Sequence, residues 1–169
     1  MFSTTSAPPA TNTALPFAAH LPAPLPRGLR EEADSMSLDE LHSVYAPASG
    51  PVRLGQWECT DPRRPSTRLG PQARNYRATI AVGDRISTST AAASGPVAAL
   101  TAMLYERGIA LEMLKFHQST SIDGITTFVH GTDGNRDEWA MGLSDDATQS
   151  ALCAVVACAN RLASVGARP

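Results

Sequence analysis

Cysteine is scarce in this chain: Cys59, Cys153 and Cys158 are an odd set without Cys-x-x-Cys spacing. Neither a disulfide framework nor a zinc site is expected from them, and a reducing, cytoplasmic setting fits. Cys153 and Cys158, five apart in an apolar stretch, read as small packing residues. Aromatic residues make up only 5%. No stacking platform therefore accompanies the arginines clustered at Arg63, Arg64, Arg68, Arg74 and Arg77, and a solvated loop explains them better than a nucleic-acid surface. Charge of either sign is not in excess, since the net charge is -2, so no global field recruits nucleic acid or an acidic membrane. No apolar run approaches the ~20 residues that a membrane span requires. The N-terminus lacks the basic start and apolar centre of a signal peptide.

Catalytic signatures are missing as well. There is no His-x-His, His-Glu-x-x-His, Gly-x-Ser-x-Gly or P-loop sequence. Of the four histidines, His20 falls in the N-terminal lead and His42 on an exposed helical turn. His117 and His130 fall on adjacent predicted strands. A metal between those two would need Asp123 or Asp133 as a third ligand, and unrelated strand side chains are the simpler account. Asp133, Asp137 and Glu138 have turn-like spacing, which suits solvated loop charges better than a calcium loop. No enzyme, metal or cofactor is expected.

The elements present follow a pattern. Residues 1–34, rich in Ala, Pro and Thr, read as a disordered lead with little apolar surface to offset ordering entropy. Its prolines could dock in a partner's groove, though a plain linker is the simpler reading. Residues 35–50 form a linker in which Ser37-Leu38-Asp39-Glu40 is a capping box, opening a short helix through Tyr45. A single domain is expected over 51–165. Val52 to Cys59 can be a strand, and the prolines at 62, 65 and 71 mark a loop. Tyr76, Ala78, Ile80 and Val82 then alternate with polar or small residues, Gly83-Asp84 turns the chain, and Ile86, Thr88 and Thr90 return. A helix follows from Pro96 to about Arg107, with Ser94 placed to cap it and Gly108 to stop it.

The second half repeats the plan. Strands are predicted at Ile109–Gln118, Ile125–His130 and Glu138–Leu143. A helix should run from about Asp145 to Ala163, with Ser144 as its cap and Leu152, Val155, Val156, Ala159 and Leu162 as its buried stripe. The expected fold is therefore α+β: two βββα units packed together, preceded by a short helix and the lead. Such a pair has faces that a second chain could cover.

Both strand-to-helix turns, Ala93-Ser94-Gly95-Pro96 and Met141-Gly142-Leu143-Ser144, deliver a helix start. Helix starts offer unpaired N–H groups and partial positive charge, which suit a carboxylate. Gly95 would let a ligand approach the main chain closely. A good helix cap without any ligand role accounts for the same residues.

From about Tyr76 to Leu162 the chain resembles the C-terminal regulatory (allosteric, dimerisation) domain of the alpha-isopropylmalate synthase family. That family's Gly-Asn-Gly-Pro turn stands here as Ala93-Ser94-Gly95-Pro96-Val97-Ala98. Its strand ending in Gly and its closing Ala-x-Asn-Arg helix stand as Met141-Gly142-Leu143 and Ala159-Asn160-Arg161-Leu162. Leu114-Lys115-Phe116 lies where the family has Leu-x-Tyr, and Ser37 to Leu54 is similar to its helical linker. The resemblance implies a homodimeric domain that binds a branched-chain amino acid, leucine in the synthases, as feedback inhibitor. By motif position Ser94, Gly95, Pro96, Val97 and Ala98 would hold the ligand's polar end, while Met113, Phe116, Thr120 and Ile125 would line its side-chain pocket. Ala147 would complete the pocket from the other unit or subunit.

Some positions depart from the family. Ala93 and Ser94 replace Gly and Asn, and Phe116 lacks the phenol, so polar contacts would be lost. The catalytic (β/α)8 barrel is absent, so this chain by itself should not condense acetyl-CoA with a 2-oxo acid. Two functions are thus expected in order: a stand-alone, non-catalytic amino-acid sensor, or an interaction subunit that pairs with a full-length 2-isopropylmalate or homocitrate-type synthase after losing its ligand. A catalytic partner in acyl transfer would need every reacting group from elsewhere.

Overall fold

The computed structural model of the chain describes residues 15–47, 49–61 and 73–165. The alternating segment folds as expected. Strands β2 (Arg74–Val82) and β3 (Arg85–Ala93) pair antiparallel without a register shift, from Arg74 opposite Ala93 to Val82 opposite Arg85. Gly83 at their turn has φ 60°, a left-handed conformation that glycine adopts without strain. Strand β1 (Val52–Cys59) adds to the other edge of β2, with an irregularity between Leu54 and Trp57. After β3 the chain enters helix α3 (Pro96–Glu106), and Gly108 at φ 81° ends it.

The second unit repeats this order. Strands β4 (Glu112–Ser121), β5 (Gly124–Thr132) and β6 (Asp137–Ser144) form an antiparallel sheet in sequence order, followed by helix α4 (Ala147–Val165). The fold is α+β with two βββα units, as the sequence pattern predicts. β4 begins three residues later than expected and runs on to Ser121. No helix among the described residues is long and apolar enough to cross a membrane.

Helix α4 joins the units because it is apolar on two sides. Leu152, Val155 and Ala159 pack with Ile80, Leu100, Met103 and Leu104 beneath the first sheet. Ala154, Ala157, Cys158 and Leu162 pack on Val129 and Ala140 of the second. A helix buried on both sides must carry small residues where backbones approach. A Cβ at Gly142 would stand 2.2 Å from the Ser150 carbonyl oxygen, and one at Gly131 would stand 2.7 Å from Cys158 Sγ. Asn160 makes the covalently remote connection: its Oδ1 accepts from Val52 N–H at 2.8 Å and its Nδ2 donates to Val52 C=O at 2.9 Å. The side chain thus acts as one more strand residue for the edge of β1. Arg161 beside it donates to the Trp139 carbonyl, sits 3.3 Å from Glu138 and lies over the Tyr45 ring.

The N-terminal segment corrects the reading of a disordered lead over 1–34. Residues 1–14 lie outside the described residues, but 15–34 are folded. A turn of 3-10 helix at Phe17–His20 and a short helix α1 (Arg30–Ala33) lead into α2 (Leu38–Tyr45). Phe17, Leu25, Leu29 and Ala33 are buried with Leu41, Tyr45, Phe128 and Met141, on the face of the second sheet opposite α4. A few well-spaced large side chains supply the burial that average composition hides. The prolines between them are already restricted in φ and so lose less entropy on ordering. His20 Nδ1 lies 2.9 Å from the Asp123 carboxylate, which ties the segment to the β4–β5 turn. Helix α2 opens with both halves of the capping box at Ser37 and Glu40, as expected.

Candidate functional site

The first strand-to-helix turn is built differently from its prediction. Gly95, not Ser94, is the N-cap of α3, and no side chain caps the helix. Its φ of −167° is extended backbone open to any residue, and a Cβ there would meet no atom within 4 Å. The fold therefore does not require glycine at this position. The first intrahelical bond runs from Ala99 N–H to Gly95 C=O at 3.0 Å. That leaves the Val97 and Ala98 amides in the uncapped first turn, at the positive end of the helix dipole.

Strand β4 faces this turn. Between Met113 and Lys115 its pairing with β5 shifts, so that Met113 lies opposite Gly131 and Phe116 opposite Val129. The bulge at Leu114 puts Met113 and Phe116, three residues apart, on the same face; a regular strand would have placed them on opposite faces. An open cleft of about 650 Å³ results, lined by Ser94, Gly95, Pro96, Val97 and Ala98 on one side and by Met113 and Phe116 on the other. Thr101, Leu111 and Glu112 complete the lining. Sequence reasoning passed over these three. The period-two break at the bulge hid the fact that the residues before Met113 share its surroundings. The Thr101 hydroxyl is directed back to the Val97 and Ala98 carbonyls, at 3.0 Å from each.

Thr120, Ile125 and Ala147 do not line that cleft. Thr120 pairs with Ile125 further along β4. Between Phe116 and Thr120 stands Gln118, whose Nε2 donates to the Ala147 carbonyl and to Thr127 Oγ1, each at 2.9 Å. Thr127 Oγ1 in turn meets Ser150 Oγ at 2.8 Å, and Ser150 also bonds the carbonyls of Ile125 and Gly142. This network draws the far half of β4 toward α4, so the three residues gather at the second helix start, away from the first.

The two starts also differ electrically. Asp146, not Ser144, caps α4: its carboxylate accepts Gln149 N–H at 2.8 Å, and Ser144 Oγ accepts Asp146 N–H. The chain's own anion thus satisfies that start, and Asp145 stands beside it. Within a single chain, Ala147 at the α4 start does not complete the cleft at the α3 start. The α3 start opens on the cleft with its amides uncapped, whereas Gln149 in the first turn of α4 borders a different hollow.

The histidines are engaged elsewhere. His130 stacks on Trp139 with ring centroids 4.8 Å apart and hydrogen-bonds to Asp137. His117 lies 6.3 Å from the same indole. No group of three His, Cys, Asp or Glu side chains converges among the described residues. A second hollow, of about 300 Å³, lies between α2, β1, β6 and α4, with His42, Leu54, Cys153 and Val156 among its walls. Cys158 is buried, and loss of solvent pushes its thiol up to about 12. Arg74 and Arg77 begin β2, with Arg77 paired to Glu58; Arg63, Arg64 and Arg68 lie outside the described residues.

No protein-family model and no curated protein matches the sequence.

Proposed function

We propose that this chain is a non-catalytic regulatory domain of the alpha-isopropylmalate synthase type, which dimerises and binds a branched-chain amino acid, leucine-like, as an allosteric signal. One observation supports this reading above all: the turn Ser94–Ala98 and the strand residues Met113 and Phe116 line a single cleft. The uncapped start of α3 offers donors to a carboxylate. Val97, Leu111, Met113 and Phe116 offer apolar walls to a branched side chain. The open side of the cleft suits completion by a second copy. β4 is an edge strand, and Leu114 and Phe116 on it are 48% and 46% exposed.

A second reading keeps the fold and drops the ligand: an interaction subunit that pairs with a full-length synthase through the same edge. The position of Thr120, Ile125 and Ala147 outside the cleft favours it. Thermal unfolding with leucine, isoleucine and valine separates the two. At about ten times Kd, a bound amino acid adds about 1.4 kcal/mol and raises Tm by about 4 °C. A flat response to all three, together with co-purification of a complete synthase, would favour the interaction subunit. Sedimentation of the isolated chain tests the dimer.

A further inference from the structure

We draw no further inference here: the strongest candidate, the hollow of about 300 Å³ between α2, β1, β6 and α4, has as its polar lining only the exposed His42, the exposed Gln149 and a lone cysteine, Cys153, whose sulfur already accepts from Gln149 Nε2 at 3.6 Å, and nothing in the structure points to what would occupy it.

Discussion

Two glycines show how residues of one type answer to different demands. Gly142 is required by packing, because any side chain there runs into the backbone of α4, with the Ser150 carbonyl oxygen 2.2 Å from the Cβ position. Gly95 has no such neighbour within 4 Å. Gly142→Ala should therefore cost about 3 kcal/mol or more. Gly95→Ala should cost about 0.5 kcal/mol, the difference between these residues at an N-cap. If the cleft holds a ligand, Gly95→Ala nevertheless abolishes the amino-acid-dependent rise in Tm, since its methyl group enters the space the ligand needs. Denaturant titration of both variants, with and without leucine, checks the contrast; equal destabilisation would refute it. Ionisation supplies a second test at this scale. An unfolded thiol ionises near pH ~8.5, whereas burial holds Cys158 neutral up to about 12. Its folded pKa is raised, so the stability it contributes is complete below the unfolded value and lost as pH rises toward 12. Tyr45 and Tyr76 act in the same direction, raised chiefly by burial and then by Glu32 and Cys59 respectively. Denaturation midpoints should fall between pH ~8.5 and ~11, and Cys158→Ala should make that fall shallower. An unchanged slope would mean that Cys158 is accessible to solvent in the fold.

At the scale of elements, some of the architecture was legible and some was not, for identifiable reasons. The β2–β3 hairpin was plain because strict alternation and a Gly-Asp turn point to the same geometry. The capping box of α2 was equally plain, since Ser37 and Glu40 satisfy each other locally. The N-terminal segment was misread because burial there depends on a sheet that follows in the chain, which local composition does not report. Of the cleft, the turn and two strand residues were legible, but the bulge at Leu114 and the diversion by Gln118 arise from pairing and side-chain bonding across the second unit. The same segment gives a prediction. Phe17 is fully buried against Phe128 and its neighbours, so Phe17→Ala should cost about 3–5 kcal/mol. A surface lead would make that substitution silent. The resulting Tm distinguishes the two.

The molecule as a whole is held together by α4, whose side chains belong to the cores of both units. Separate unfolding of the units is therefore not expected. Trp57 packs on Tyr76 in the first unit, and Trp139 stacks on His130 in the second, so each tryptophan reports one unit. In single-tryptophan variants, urea transitions followed at Trp57 and at Trp139 should superimpose. Asn160→Ala removes both bonds to Val52 and should lower both midpoints together. Two resolved transitions would show that α4 serves one unit only.

The contact between the N-terminal segment and the second sheet also governs the order in which the chain can be assembled. His20 and Asp123 are 103 residues apart, and Val52 and Asn160 are 108 apart. At ribosomal speeds of about 5–20 residues per second, Phe17, Leu25 and Leu29 wait several seconds or more for the surface that will shelter them. During synthesis Phe17, Leu25 and Leu29 precede the second unit yet find their place only after it, and protease pulses on stalled nascent chains should cut there until the second unit has emerged.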